Sequence, residues 1–224
     1  MNQVIKNAAS VVRAICVAGM CFAAAGADAS VITVETGMSK ALAQATGAAY
    51  ESVVEAAIAV PTVGYGKKTV AKFDNLTNHA LFPSGASQYI ATKYTVDFVV
   101  DSSNAGQYQF RFGTDFGQGG AVFVDNVQVA LNKNDMWWGG AYTNTAQYFL
   151  INPTLLAGAH TIEIFGLDNC CDGYAQGQFK SAKMASFMTL SSTDGMSPAI
   201  PEPSSVALLG LGIAGLIAMR KKAA

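Results

Sequence analysis

Two adjacent cysteines, Cys170 and Cys171, followed by Asp172 and Gly173, are the sharpest chemical feature of this 224-residue chain. They lie in LDNCCDGYAQGQF, residues 167–179, a polar stretch whose glycines mark a loop. The other cysteines, Cys16 and Cys21, fall in an N-terminal export segment, so the exported body keeps only this pair. In an oxidising compartment an even pair ordinarily forms a disulfide. Here the partners are neighbours, and Cα atoms across a trans peptide stand about 3.8 Å apart, short of the roughly 4.4–6.8 Å of ordinary bridges. Three states stand open: a strained, easily reduced vicinal bridge, two free thiols, or bridges to another chain. A vicinal bridge closes too short a loop to stabilise through chain entropy. Its value would be a rigid, compact, apolar ring that can press on the face of a sugar or peptide.

Around the pair, Asp168, Asn169 and Asp172 offer the hard oxygens that calcium takes, with Asp115, Asp125 and Asp135 in other loop-like or strand-end positions. The same residues are also those that make turns. Trp137 and Trp138, followed by two glycines, supply aromatic faces of the kind that stack on sugars. On a strand they point to opposite sides, so one of them belongs to the core. The candidate ligand-binding set is therefore Cys170, Cys171, Asp172, Gly173, Trp137 and Trp138, with calcium as the one candidate cofactor. No catalytic residue is assigned. His79 and His160 are isolated, and His160 sits inside an apolar strand pattern where a structural role is expected. HExxH and GxSxG are absent from the sequence. Glu51 and Glu55, one helical turn apart, read as a solvated face. Carboxylates converging from distant loops, as in a polysaccharide-active enzyme, would not show in sequence.

The scaffold reads as mainly β. Leu42, Ala45, Ala49, Val53, Ala56 and Val60 follow a helical period, predicting one helix over 40–59 with Ser39 as cap and Pro61 as stop. A first strand is expected at 31–34. Beyond residue 62 short strands follow, separated by Gly, Asn and Asp: 69–73, 90–100, 107–112, 121–130, 147–151, 160–165 and 179–190. Tyr94, Val96, Phe98 and Val100 share one face, as do Tyr108, Phe110 and Phe112. The pattern predicts an antiparallel β-sandwich, jelly-roll-like, with one N-terminal helix, over residues 30–190. A Ser/Pro-containing linker follows at 191–200.

The ends are addresses. Residues 1–29 read as a secretory signal: Lys6 and Arg13 are basic, a short apolar run follows, and small residues precede a cleavage site between Ala29 and Ser30. At the other end Pro201-Glu202-Pro203 precedes an apolar run and then Arg220, Lys221 and Lys222. That run predicts a single marginal membrane helix with its basic end held cytoplasmic. Residues 30–200 carry 9 Lys+Arg against 13 Asp+Glu, a net charge of −4. That balance argues against nucleic acid and anionic lipid as partners of the body.

The tail, a PEP motif with an apolar helix and a basic end over 201–224, resembles the PEP-CTERM sorting signal of Gram-negative bacteria. The resemblance implies processing by signal peptidase and an exosortase, an inner-membrane-anchored intermediate, and a final place at the cell surface or in an extracellular, exopolysaccharide-containing biofilm matrix. Cys170-Cys171-Asp172-Gly173 looks like the mark of the CCXG type within that group. Gly106-Gln-Tyr-Gln-Phe110, Ala121-Val-Phe-Val-Asp125-Asn126 and Leu156-Ala-Gly-Ala-His160-Thr-Ile-Glu-Ile164 resemble the successive signatures of the protective-antigen and GLEYA-type sugar-binding sandwich. Asn126 stands where that family has glycine, and its calcium-holding Asp-Asp pair is absent. Together the resemblances imply a non-catalytic binding module for extracellular carbohydrate. The alternative is a structural or self-assembling matrix protein cross-linked through its cysteines.

Overall fold

The computed structural model describes residues 30–196. The signal segment up to Ala29, the motif Pro201-Glu202-Pro203, the apolar run and Arg220, Lys221 and Lys222 lie outside the described residues. Among the described residues no helix is long and apolar enough to cross a membrane.

In chain order the elements are β1 (Val31–Met38), α1 (Gly47–Ile58), β2 (Lys67–Val70), α2 (Asn78–Leu81), β3 (Ile90–Val100), β4 (Gly106–Gly113), β5 (Gly120–Val124) and β6 (Val127–Asn132). There follow β7 (Tyr148–Ile151), β8 (Thr154–Leu155), β9 (Gly158–Asp168), β10 (Gln176–Ser181) and β11 (Met188–Thr189). They form two antiparallel sheets, one of six strands in the order β2-β1-β3-β9-β5-β6 and one of five in the order β11-β10-β4-β7 with β8 paired to the first two residues of β4.

Period-two alternation decides which faces meet. Tyr94, Val96, Phe98 and Val100 of β3, with Ile162 and Ile164 of β9, pack against Tyr108, Phe110 and Phe112 of β4 and Phe179 of β10 in one buried cluster. The far side of the six-stranded sheet is covered by α1, whose Tyr50 and Val54 join Ala91, Phe123, Phe165 and Leu167. Gly37 permits this: a Cβ there would overlap the backbone of Ala57 in the helix. β3 and β9 pair from Val100↔Gly158 to Ile90↔Asp168, so the cysteine loop begins where the longest ladder ends.

Several strand ends shift by one to four residues from the sequence expectation, and four departures are larger. The helix starts at Gly47 instead of 40, because Ser39 Oγ accepts from Ala41 N and makes a turn, while Thr46 Oγ1 accepts from Ala49 N as the true N-cap. The expected strand over 121–130 is a hairpin, with Asp125 and Asn126 both left-handed (φ 50° and 64°) in the two-residue turn. Asn tolerates that conformation, which is how Asn126 replaces a glycine. The strand expected over 179–190 ends at Ser181. The linker does not begin at 191: Asp194 accepts from Ser191 N, Met196 N and Ser30 N, burying Met196 and tying both ends of the body together.

Candidate functional site

The loop after β9 is pinned from three sides while its sulfurs face solvent. Cys170 and Cys171 are bonded to each other, Cα–Cα 3.7 Å, and both residues are exposed. Cys170 N donates to Asp168 Oδ1 (3.2 Å) and Cys171 N to Ser87 O (2.8 Å). Cys171 (φ 87°) and Asp172 (φ 44°) occupy the left-handed region, which costs non-glycine residues about 1–3 kcal/mol each. Asp172 holds them there. Its buried carboxylate accepts from Asn78 N and His79 N, both at 2.7 Å, at the start of α2, and lies 2.6 Å from His79 Nδ1. Gly173 N donates to Asp115 Oδ2 (2.9 Å), and a Cβ at this position would overlap the Asp115 carboxyl.

Next in the chain, Phe116 O accepts from Met136 N (3.1 Å), so the tryptophan loop is tied to the residue beside Asp115. Burial pushes the Asp115 pKa above the usual carboxylate value. Of the tryptophan pair, Trp138 is the core member, 6% exposed, and Trp137 is 63% exposed. The Trp138 indole lies over Gly113 and packs on Tyr142, ring centroids 4.5 Å apart. Gly113→Ala is therefore expected to expel that indole and cost about 1–3 kcal/mol. A red-shifted tryptophan emission at unchanged secondary structure would show it.

Between the two loops opens a cleft of about 250 Å³, walled by Trp137, Trp138, Tyr174, Asn75, Gln176 and the Gly139-Gly140 pair. Tyr174 is 59% exposed, so two aromatic faces border the cleft with two side-chain amides beside them. Of the six residues singled out in the sequence, Trp137 and Trp138 line it. Cys170 and Cys171 are not among its walls, and Asp172 and Gly173 act behind it as anchors of the loop that carries Tyr174.

Of the proposed calcium set, Asp168 Oδ2 and Asn169 Oδ1 are buried without a hydrogen-bond partner, while Asp172 is engaged. Both Asp172 oxygens are already engaged by N–H groups, and among the described residues no group of three His, Cys, Asp or Glu side chains is placed to hold a metal ion. Asp168 instead borders a small internal cavity of about 20 Å³ with Asp115, Asp172 and Tyr94. Burial pushes the Asp168 pKa up to about 6, against the N–H groups of Cys170 and Gly117 that favour its charge; its Oδ2 has no hydrogen-bond partner in the protein. Asp125 is spent on the hairpin, accepting from Thr161 N and meeting His160 Nδ1 at 2.7 Å. His160 is thus a structural histidine, and Glu55 pairs with Lys93 at 2.7 Å.

Asp115 as the anchor of Gly173, and Tyr174, Asn75 and Gln176 as cleft walls, were absent from the sequence-based set. Tyr174 had a visible signal, being an aromatic residue in the same loop as the cysteines.

Residues 199–222 match the PEP-CTERM protein-sorting motif, which implies an exported protein with a surface or extracellular fate. No curated protein matches the chain. Similar solved structures include a PA14 sugar-binding domain from an RTX adhesin, at 14% identity and TM-score 0.46, covering 76% of this chain and 98% of that one. Another is the PA14 domain of the MpAFP antifreeze protein, at 14% and 0.49, covering 76% and 93%. A third is the Epithelial Adhesin 9 A domain of Candida glabrata in complex with Galβ1-3GlcNAc, at 9% and 0.46, covering 77% and 90%.

Proposed function

We propose that the exported body is a non-catalytic carbohydrate-binding module and that the Trp137–Tyr174 cleft holds the sugar. The observation that carries this reading is the cleft itself: two exposed aromatic faces with the Asn75 and Gln176 amides between the loops that bear them. Sugar rings present apolar C–H faces that stack on aromatic rings, and their hydroxyls pair with amides, which fixes orientation. The vicinal cysteine ring serves this site indirectly. It stiffens the loop that carries Tyr174, so less conformational freedom is lost when a ligand binds. Processing of the tail by an exosortase, through a membrane-anchored intermediate, would then present the cleft at the surface or in the matrix. Assignment to the CCXG type rests on the Cys170–Gly173 motif alone.

A glycan array probed with the purified protein, with and without calcium and reductant, tests the proposal. Trp137→Ala is expected to weaken binding to whichever glycan is captured by about tenfold, or 1.4 kcal/mol, at nearly unchanged thermal stability because the side chain is exposed. Binding should survive chelation of calcium. An array with no captured glycan under any condition removes the reading. Ladders on non-reducing gels that collapse with reductant would favour the cross-linked matrix protein instead.

A further inference from the structure

No described α-helix packs on the outer face of the five-stranded sheet, which Trp138 covers only at its Gly113 end, and its outward residues are unlike the rest of the body. Phe110, Phe112 and Phe179 point inward, so Gln109 and Arg111 of β4, and Gln176, Gln178 and Lys180 of β10, point out. The outward positions of β4, β7 and β10 include no Asp or Glu. Neither Arg111 nor Lys180 has a carboxylate partner among the described residues, whose ion pairs all lie elsewhere. On a body of net charge −4, this is a local cationic patch whose nearest carboxylate, Asp74 at the Gln176 end (2.7 Å from Gln176 Nε2), is already paired with Lys72.

Arg111 is also held in place. Its guanidinium is sandwiched between the rings of Tyr142 and Phe187, 3.9 and 3.8 Å from their centroids. Gln178 Oε1 accepts from Nε (2.9 Å) and from Nη2, leaving the Nη1 edge without an acceptor. Tyr142 is fixed in turn by donating to Gln176 O (3.0 Å) and packing on Trp138. Lys180 Nζ lies 5.4 Å from the same Phe187 ring. A stacked guanidinium with one edge open is preorganised for a carboxylate. Gln176 belongs both to this strand face and to the cleft wall, so the two surfaces are continuous. From Gln176 to Lys180 the face runs about 14 Å at about 3.4 Å per residue, enough for several units of a polymer.

We infer that this sheet face is a cationic subsite, centred on Arg111 and Lys180, that binds the carboxylates of an acidic, uronate-bearing polysaccharide whose chain continues from the cleft. The inference rests on the cleft reading for the class of ligand and adds the charge that selects it.

The test titrates the full-length chain with polygalacturonate and with its methyl-esterified form, which has the same backbone without the charge. The acid form is expected to bind at least tenfold more tightly, with an affinity that falls as salt rises. Arg111→Gln and Lys180→Gln should each shrink that preference, and Arg111→Lys should restore it only in part because the fork is lost. Lys180 makes no buried contact, so its variant reads the patch even where Arg111→Gln fails to fold. Equal binding of both polymers, with Trp137→Ala weakening both, overturns the subsite and leaves the cleft reading intact. Acid-selective binding that Arg111→Gln removes and Trp137→Ala spares supports the subsite and sinks the cleft. A dimer in sedimentation that Arg111→Gln dissociates also overturns the inference, because the face then belongs to a second copy.

Discussion

Phe110→Ala is expected to remove about 3–5 kcal/mol of folding stability, against about 5–15 kcal/mol for a whole domain. Phe110 is fully buried on β4 and reaches across to Phe98 of the opposite sheet, centroids 5.7 Å apart. Along its own sheet it stacks with Tyr108 at 5.9 Å, Phe112 at 6.2 Å and Phe179 at 6.2 Å. The alanine leaves a cavity between two sheets whose hydrogen-bond ladders prevent them from collapsing to fill it, so both transfer and cavity contributions are lost. Urea unfolding should show a lower midpoint with an unchanged slope. A loss below about 1 kcal/mol would mean that this aromatic stack does not join the sheets.

Phe110 was readable in advance because a half-buried strand writes its burial into alternate positions. The residues on one face of β3 and β4 follow from spacing alone, and the expected strand over 90–100 coincides with β3. The hairpin at Asp125-Asn126 was not readable in the same way. Its turn has no glycine, and residues 121–130 look like one apolar strand until the left-handed pair folds β6 back on β5. The helix start failed for a related reason. Alanine and leucine continue the helical period into 40–46, but a Ser39 turn and the Thr46 cap compete locally and win.

The site shows the same division between short-range and long-range information. The cysteine pair and the tryptophan pair stand out by type and adjacency; one tryptophan is core, although neither lies on the strand that the alternation argument assumed. Their relation to one another depends on Asp115 and Phe116, the first reaching Gly173 across 58 positions of chain and the second bridging Met136. Nothing in the spacing of a lone Asp announces a backbone N–H partner from a distant loop. Asp172 shows the same limit: it looked like a free oxygen ligand until α2, nearly a hundred residues earlier, supplied the N–H groups that occupy it.

Asp168 should make the stability of the protein depend on pH between about 4 and 6, in the direction opposite to that of a salt-bridged carboxylate. Its pKa is raised to about 6 from a usual 3.8, first by burial and then by the neighbouring Asp115 charge. Between those values the folded protein holds a proton that the unfolded chain has released. Raising the pH therefore favours unfolding. The contribution of Asp168 is fully present below about pH 4, is lost as pH climbs through 6, and is absent above it. A shift of about two pKa units corresponds to about 3 kcal/mol. Other carboxylates superimpose their own slopes, Asp74 for instance being lowered by Lys72. The clean measurement is thus a difference: stability of Asp168→Asn minus that of the unmodified protein, by urea unfolding from pH 4 to pH 7. Asparagine keeps an oxygen for Cys170 N and Gly117 N but cannot ionise, so any cost of its amide is a constant offset. The difference is expected to rise by about 3 kcal/mol toward neutral pH, most steeply about midway between the unfolded and folded pKa values. A flat difference would show that Asp168 ionises as freely as in the unfolded chain, and that the root of the cysteine loop is open to water.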